Sequence, residues 1–282
     1  MTTAPSLSSL PPLREVLARH GIVTRKSLGQ HFLLDLNLTR RIVASADGLA
    51  GANAIEIGAG PGGLTRALIE SPARHVWAIE RDARCIAALE EIAAVADGRL
   101  TVVQADATGI DLAAVVPAPR RIVANLPYNV GTQLLLGWLA HASAFDGMTL
   151  MFQKEVADRL TARPRSKAYG RLSVLAQRLC AVRPLFDINP SAFVPPPAVV
   201  STVVELIPRP EPLCPADRTA LESVTRHAFG QRRKMLRQSL KPLGGEALLL
   251  RAGMAPTARA EELSVEDFCA LANALVSPDA AA

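Results

Sequence analysis

The sequence has few of the residues that build metal centres and disulfide frameworks. Its 282 residues include only five histidines and four cysteines, namely Cys85, Cys180, Cys214 and Cys269. No two of these cysteines have the spacing of a metal clip or a redox motif. We therefore expect reduced, mostly buried thiols and no metal site.

Long apolar runs are also missing. No segment approaches the roughly 18 consecutive apolar residues of a membrane-spanning helix. The N-terminal stretch MTTAPSLSSLPPLREVL lacks the basic start and the apolar block of a secretory signal. We therefore expect a cytoplasmic protein without a membrane partner. Hydrophobic residues make up 49% of the chain and charged residues 20%, which excludes wholesale disorder.

Segments typical of helices and strands alternate from about residue 36 onward, among them short apolar strands at 53–57 and 100–104. This alternation predicts a mainly parallel sheet with helices on both faces. The last two predicted strands, at 172–181 and 199–207, have no long helix between them, so we expect an antiparallel final pair. Four prolines at 208–215 mark a linker, after which every segment looks helical, including 232–240. We predict a mobile N-terminal segment at 1–24, an α/β domain at 25–207 and a helical domain at 208–282.

A glycine loop follows the first predicted strand of the sheet. In AIEIGAGPGGLT, residues 54–65, a G-x-G-x-x-G pattern begins at Gly58 and includes Gly60. Such glycines let a ligand approach the main chain closely, at the start of a helix. Glu80 and Asp106 follow the next two strands, where carboxylates can bond ribose hydroxyls and an adenine amino group. The pattern predicts an adenosine-containing cofactor, and it also suits a nicotinamide dinucleotide.

The segment NLPY, residues 125–128, points to a particular reaction. The Asn125 side-chain oxygen and the Leu126 backbone carbonyl can accept both hydrogens of one exocyclic amine. Tyr128 supplies a flat face on which a base can stack. This constellation suits an adenine N6 amine as nucleophile, whereas hydride transfer does not require it.

With these motifs in order, the chain resembles the ribosomal RNA adenine N6,N6-dimethyltransferase family, in its bacterial small-subunit branch. The resemblance implies a class I S-adenosylmethionine-dependent methyltransferase fold. In that fold, an α/β domain has a Rossmann-like seven-stranded sheet whose last strand is antiparallel, and a small C-terminal helical domain binds RNA or the ribosome. The matching segments are SLGQHFLLD (27–35), EIGAGPGGLT (56–65), IE (79–80), QADA (104–107), NLPYN (125–129), QKEVADRL (153–160), KAYGRLSV (167–174), SAFVPPPAVVS (191–201) and FGQRRKMLR (229–237).

The resemblance also implies which residues act. The implied S-adenosylmethionine-binding residues are His31, Leu33, Gly58, Gly60, Glu80, Asp106 and Asn125. The implied catalytic residues are Asn125, Leu126, Tyr128 and Phe193, of which Tyr128 and Phe193 would clamp a flipped-out adenine. A Phe in a turn before Val-Pro-Pro-Pro is less easily a core residue, which favours that role for Phe193. Two positions depart from the family pattern. Many members have Asn where this chain has His31, and Lys where it has Ala198.

Two basic runs could contact RNA. Residues 226–241 hold six cations and residues 159–167 hold four, and neither run contains an acid. Such runs are usually solvated faces, but in a base-methylating enzyme they favour salt-sensitive contact with the RNA backbone. The candidate RNA-binding residues are Arg163, Arg165, Lys167, Arg232, Arg233, Lys234 and Arg237.

The implied function is dimethylation of N6 of two adjacent adenines in a 3′-terminal hairpin loop of small-subunit (16S) ribosomal RNA, during subunit assembly and by a monomer. A related large-subunit methyltransferase that confers macrolide resistance is a close alternative, although QKEVADRL, KAYGRLSV and FGQRRKMLR favour the small-subunit branch. A nicotinamide oxidoreductase leaves NLPY and AFVPPP unexplained. A non-enzymatic RNA-binding assembly factor would need neither Glu80, Asp106 nor NLPY.

Overall fold

The computed structural model describes residues 7–23 and 30–277. The chain divides into two compact units, Met1–Ala157 with Arg183–Pro208, and Asp158–Val182 with Arg209–Ala282. The second unit therefore includes residues 158–182, which the sequence places in the α/β domain. Residues 1–6 of the predicted mobile segment and the first three residues of SLGQHFLLD lie outside the described residues.

The first unit contains short helices near its start, followed by a β-sheet whose strands alternate with α-helices. Its helices are α1 (Leu13–Arg19), α2 (Leu36–Ala44), α3 (Gly63–Glu70), α4 (Ala83–Ala93), α5 (Leu112–Val115) and α6 (Gly131–Leu139). The first six strands are β1 (Phe32–Leu33), β2 (Asn53–Ile57), β3 (His75–Glu80), β4 (Leu100–Gln104), β5 (Arg120–Asn125) and β6 (Gly147–Gln153), and helix α7 spans Lys154–Thr161. The remaining strands are β7 (Cys180–Ile188), β8 (Phe193–Val194) and β9 (Ser201–Pro208).

The seven-stranded sheet confirms the expected fold class. Its strand order is β4-β3-β2-β5-β6-β9-β7. The pairs β2/β3, β3/β4, β2/β5 and β5/β6 are parallel, and β9 runs antiparallel to β6. The chain crosses from one side of β2 to the other between β4 and β5, which opens a crevice at the carboxyl ends of β2 and β5. The glycine loop and NLPY both follow strands at this crevice.

Buried strands and capped helices explain this arrangement. All five residues of β2 are buried, as expected for a parallel strand covered on both faces. Asp35, Asp82 and Asp111 each accept a backbone N–H at the start of α2, α4 and α5, respectively. Within β2, the buried Glu56 accepts a hydrogen bond of 2.5 Å from the Thr65 hydroxyl of α3. This bond fixes the strand and the helix on either side of the glycine loop.

The described part of the predicted mobile N-terminal segment is folded. Helix α1 buries Leu13 and Val16 at helical spacing. Val16 packs with Ile22, Phe32 and other buried residues in a small apolar cluster of the first unit. Residues 7–23 therefore include a helix that packs on the first unit, and the mobility expected for residues 1–24 stays a prediction.

The predicted strand at 172–181 is wrong, because most of it is helix α8 (Arg171–Leu179). Leu172, Leu175 and Leu179 recur at the i, i+3, i+7 spacing of one helix face. The strand begins only at Cys180, where β7 starts. A short, largely apolar run fits both structures, so the pattern alone does not decide between them.

The second unit is helical beyond residue 208. Its helices are α8, α9 (Arg218–Gly230), α10 (Leu236–Ser239), α11 (Gly245–Arg251) and α12 (Val265–Val276). Helix α10 is shorter than the predicted 232–240. A disulfide joins Cys214 to Cys269 of α12, with their Cα atoms 6.3 Å apart. The expectation of reduced thiols is therefore wrong for this pair, whereas Cys85 and Cys180 are free and buried.

Candidate cofactor and base-binding site

A cavity of about 330 Å³ opens at the carboxyl ends of the parallel strands. This volume is in the usual range of small-molecule sites. The cavity brings together most of the residues singled out from the sequence. The candidates that line it are His31, Gly58, Gly60, Glu80, Asp106, Asn125, Leu126 and Tyr128.

The glycine loop gives the cavity its backbone wall. Gly60 has a φ of +56°, and a Cβ placed there would lie 3.0 Å from Phe32. Gly62 has a φ of +86° and ends the loop at the start of α3. A side chain at either position would be strained, because L residues rarely adopt positive φ. The loop therefore stays narrow and exposes main chain to the cavity.

The Glu80 carboxylate is held in place by backbone donors. Its Oε2 accepts a 2.9 Å hydrogen bond from the Gly60 N–H. Its Oε1 accepts hydrogen bonds from the N–H groups of Arg81 and Asp82, at 2.8 and 2.9 Å. Because a carboxylate has about four acceptor positions, the group can still accept from a ribose hydroxyl.

Asp106 lies at the next strand end, in a more open position. Its Oδ1 accepts hydrogen bonds from the Thr108 backbone N–H and hydroxyl, and Arg81 contacts Oδ2 at 3.2 Å. The hydrogen bonds of Thr108, with a smaller effect of Arg81, lower the pKa of this carboxyl. The group is thus ionised and suited to accept from an adenine amino group. Sequence reasoning missed Arg81 and Thr108, although both are close in sequence to predicted carboxylates.

Asn125 ends β5 with its amide oriented by a second element. Its Nδ2 donates a 3.0 Å hydrogen bond to the His31 carbonyl. Within residues 7–23 and 30–277 no donor contacts Asn125 Oδ1, so that acceptor is available to an amine. The Leu126 side chain is buried, so the contact with an amine predicted for this residue would involve its main-chain carbonyl.

Aromatic rings surround the same end of the cavity. Tyr128 is half-buried, and its hydroxyl lies 2.5 Å from Ser201 Oγ. Burial raises the pKa of Tyr128, so the phenol stays neutral. The His31 ring stacks on Tyr128, with centroids 5.2 Å apart. Ser201, which positions Tyr128, gave no signal in the sequence beyond its place in SAFVPPPAVVS.

Phe193 and Leu33 lie beneath the cavity and do not line it. The Phe193 side chain is 1% exposed and belongs to the main apolar core. It pairs with Leu33 across the short β1–β8 ladder, and Leu33 is also buried. The expectation that Phe193 is not a core residue is therefore wrong, since β1 covers it. Its contact with a base and the contact of Leu33 with a cofactor stay predictions.

The two basic runs meet within the second unit. An Arg232 guanidinium nitrogen donates a 3.1 Å hydrogen bond to the Ser166 carbonyl, and the Arg165 backbone N–H donates to the Glu261 carbonyl. Arg232 is half-buried and holds the segments together. The other candidates are exposed, namely Arg163, Arg165, Lys167, Arg233, Lys234 and Arg237. These six exposed residues, from two distant parts of the sequence, are together called the cationic surface.

Within residues 7–23 and 30–277, no three His, Cys, Asp or Glu side chains are grouped so that they could hold a metal ion. No helix in these ranges is long and apolar enough to span a bilayer.

Comparison with known proteins gives concordant matches. The family described as "Ribosomal RNA adenine dimethylase" matches residues 22–277. The chain is 64% identical over 270 residues to ribosomal RNA small subunit methyltransferase A of Paramagnetospirillum magneticum, covering 95% of this chain and 96% of the relative. The protein of the same name from Rhodospirillum rubrum is 63% identical over 267 residues, covering 94% and 93%, respectively.

Two solved structures have similar folds over most of their length. A dimethyladenosine transferase from Plasmodium falciparum has a TM-score of 0.72 at 26% identity, with 86% of this chain and 96% of that chain covered. The 23S rRNA methyltransferase ErmE has a TM-score of 0.65 at 27% identity, with 87% and 99% covered, respectively.

Proposed function

Because the chain belongs to the ribosomal RNA adenine dimethylase family, we propose that it dimethylates N6 of two adjacent adenines in a 3′-terminal hairpin loop of small-subunit (16S) ribosomal RNA. S-Adenosylmethionine is the methyl donor. The observation that carries this proposal is the position of Asn125 at the end of β5, in the same cavity as Gly60, Glu80 and Asp106.

The residues of the cavity fit the cofactor. Glu80 offers acceptors for the ribose hydroxyls, and Asp106 offers one for the adenine amino group. Ile57 and Ile79 add apolar walls on which an adenine ring can lie. The narrow loop at Gly58 and Gly60 leaves room for the methionine portion. When bound, S-adenosylmethionine supplies a methyl group that its sulfonium charge has already activated.

The groups of the protein act on the adenine N6 amine, which is the less reactive of the two reactants. The lone pair of adenine N6 is delocalised into the ring, so the planar amine is a poor nucleophile. Asn125 Oδ1 and the Leu126 carbonyl accept its two hydrogens and favour the pyramidal form. Stacking on Tyr128 holds the base at a near-attack distance, and positioning of this kind supplies much of the rate. After the first methylation Asn125 can still accept the single remaining hydrogen.

The cationic surface of the second unit fits the substrate. Exposed arginines and lysines bind RNA phosphates regardless of the nucleotide sequence. The choice of adenine then depends on the shape of the RNA and on the cavity that holds Asn125 and Tyr128. Arg232 supports this surface through Ser166. We propose that a monomer acts. We place the reaction in the cytoplasm, during assembly of the small subunit.

The high identity to proteins named for the small subunit favours that substrate over the large subunit. Identity is 64% and 63% to the two relatives, compared with 27% to ErmE. A test is methyl transfer to small and large ribosomal subunits from a strain that lacks the modification. Mass spectrometry of digested RNA should find dimethyladenosine at two neighbouring small-subunit positions. Methylation confined to large-subunit RNA would overturn the proposal and would instead indicate the methyltransferase that confers macrolide resistance.

A further inference from the structure

Helix α1 lies against the turn that follows the glycine loop. A Cβ placed on Gly63, the first residue of α3, would lie 3.1 Å from Leu13 Cδ1 of α1 and 2.7 Å from the Leu33 carbonyl oxygen. A side chain larger than hydrogen at Gly63 would therefore force these neighbours apart. This close approach lets α1 pack directly on the start of the helix that ends the loop.

The apolar face of α1 also supports the wall of the cofactor cavity from behind. Val16 packs in one apolar cluster with Ile22 and Phe32. Phe32 lines the cavity, and a Cβ placed on Gly60 would lie 3.0 Å from its ring. Phe32 is therefore held between the α1 cluster and the glycine loop. Movement of α1 would loosen the loop at the point where the loop meets the cavity.

Polar contacts fasten both ends of α1 to two different helices of the first unit. At its start, Arg66 Nη1 of α3 donates a 2.8 Å hydrogen bond to the Pro11 carbonyl. At its end, the Glu91 carboxylate of α4 lies 3.2 Å from Arg19 Nη1 and 2.9 Å from His20 Nε2. Helix α3 follows the glycine loop, and α4 follows β3, whose last residue is the proposed ribose acceptor. Helix α1 thus connects the two helices that follow the cofactor-binding segments.

Arg66 carries a buried charge. The residue is 5% exposed, and burial lowers the pKa of its guanidinium, an effect that the charge of Glu91 partly opposes. Within residues 7–23 and 30–277, the Arg66 Nε is buried without a hydrogen-bond partner. Removing a guanidinium from water in this way costs free energy. The hydrogen bond to the Pro11 carbonyl offsets part of that cost, so the side chain is placed to hold α1.

We propose that α1 braces the S-adenosylmethionine site and that Arg66 is the positioning residue that keeps α1 in place. The inference rests on the proposed function for the identity of the cofactor. Arg66 is not among the residues that line the cavity, so it acts through Phe32 and the glycine loop. When its bond to Pro11 is lost, the loop spends less time in the arrangement that binds the cofactor. The apparent Kd rises as the population of the competent arrangement falls, while the chemistry at Asn125 is unchanged.

The test separates positioning of the cofactor site from folding. Arg66→Met keeps an unbranched apolar stem and removes the donor, whereas Arg66→Lys keeps a charged donor. Arg74→Met, at an exposed arginine of the first unit, is the matched control. Equilibrium dialysis gives the Kd for S-adenosylmethionine, and steady-state methyl transfer to small subunits that lack the modification gives kcat and the KM for the cofactor. Since a hydrogen bond from a charged donor can change an equilibrium about 10-fold or more, we expect Kd and KM to rise about 10-fold in Arg66→Met, with kcat within about twofold. Arg66→Lys should stay within about threefold of the wild type, because its ammonium can still donate to Pro11.

Val16→Ala tests the packing behind Phe32 while the Arg66 bond stays intact. We expect it also to raise the KM for the cofactor at unchanged kcat. Hydrogen exchange gives a further readout, since the α1 amides should exchange faster in cofactor-free Arg66→Met. They should regain protection when S-adenosylmethionine is saturating, because the docking of α1 and the binding of the cofactor favour each other. A recovery confined to α1 is not expected of an anchor that serves stability alone.

Several results would overturn this inference. A wild-type cofactor Kd in Arg66→Met, with a lower free energy of unfolding, would make Arg66 an anchor for stability only. An equal rise of Kd in Arg74→Met, or a fall in kcat of Arg66→Met at unchanged KM, would place the effect outside the brace. If Arg66→Met does not fold, an unchanged KM in Val16→Ala overturns the brace instead. If the wild type binds S-adenosylmethionine but methylates no small subunits, the proposed function fails, and the Kd values still decide the role of α1.

Discussion

The Gly60 N–H donates a hydrogen bond to the Glu80 carboxylate, with 2.9 Å between N and Oε2. The two residues belong to different strand–loop junctions, after β2 and at the end of β3. The bond therefore connects the loop that we propose faces the methionine portion of the cofactor with the carboxylate that we propose binds its ribose. The Glu80 side chain thus holds two parts of the cavity in place.

Glu80→Gln tests that connection. The amide keeps the size of the side chain but loses the charge and one acceptor, so both the loop bond and the ribose bonds weaken. Hydrogen bonds to charged groups contribute about 1.5–3 kcal/mol, so we expect the Kd for S-adenosylmethionine to rise about 10- to 100-fold. Calorimetric titration measures it. Glu90→Gln, at an exposed position on α4, is the matched control, and an equal effect of both changes would contradict the assignment.

Glu56 should make stability depend on pH. Burial raises its pKa to about 8 from the ordinary value of 4.5, the Thr65 hydrogen bond partly opposes this, and the Glu80 charge adds to it. The native state therefore keeps a proton that the unfolded chain releases. This stabilisation is complete below about pH 4.5 and is lost as the pH rises toward 8.

Glu56→Gln removes this proton and keeps an acceptor for Thr65. We expect the wild type to lose roughly 3 kcal/mol of unfolding free energy between pH 5 and pH 8, relative to the variant. Urea unfolding at several pH values gives both curves. Curves that stay parallel over the whole range would show that Glu56 is ionised in the folded protein.

The cationic surface should contribute a salt-dependent part of RNA affinity. Replacing Arg233, Lys234 and Arg237 together by Gln removes three exposed cations. Since each phosphate contact contributes about 0.7 to 0.9 to the slope of log K against log salt, we expect that slope to become shallower by about 2 to 3. Filter binding of small-subunit RNA between 50 and 200 mM salt, the range over which such contacts lose most affinity, measures it.

Cofactor affinity is the internal control for this triple variant, because its three positions belong to the second unit and the cavity lies in the first. Arg14→Gln, an exposed cation of α1, is a control for charge alone. A slope unchanged by the triple substitution would remove these residues from the RNA interface.

The disulfide between Cys214 and Cys269 should stabilise the second unit. It closes a loop with a sequence separation of 55 residues, and constraining such a loop in the unfolded chain contributes about 2–4 kcal/mol. We expect reductant to lower the unfolding free energy by this amount. The Cys214→Ser, Cys269→Ser double variant should not respond to reductant. Thiol titration of the unfolded, unreduced protein should find two thiols, from Cys85 and Cys180, and a count of four would contradict the pairing.

The sequence predicted well the parts of the molecule that depend on local pattern. Strands β2 and β4 have the predicted bounds, since each is a short apolar run between clear turns. Glu80, Asp106 and Asn125 converge as expected, because the carboxyl ends of neighbouring parallel strands meet at one edge of a sheet. The glycine loop could be placed for the same reason.

The remaining features depend on contacts between distant segments. Phe193 is buried because β8 pairs with β1, and no local pattern shows that a two-residue strand will cover it. The stacking of His31 on Tyr128 and the pairing of Cys214 with Cys269 arise in the same way. Helix α8 was missed for a different reason, since its apolar run is compatible with either secondary structure.

Asn125→Ala tests the central claim most directly. The variant removes the Oδ1 acceptor at the end of β5 and leaves Glu80, Asp106 and the cationic surface intact. Dimethyladenosine formed on small subunits is measured by mass spectrometry, beside S-adenosylmethionine affinity. We expect methyl transfer to fall at least 100-fold while the cofactor still binds. Normal dimethylation by Asn125→Ala would contradict the account, because the amine would then be activated without the acceptor on which the proposed chemistry depends.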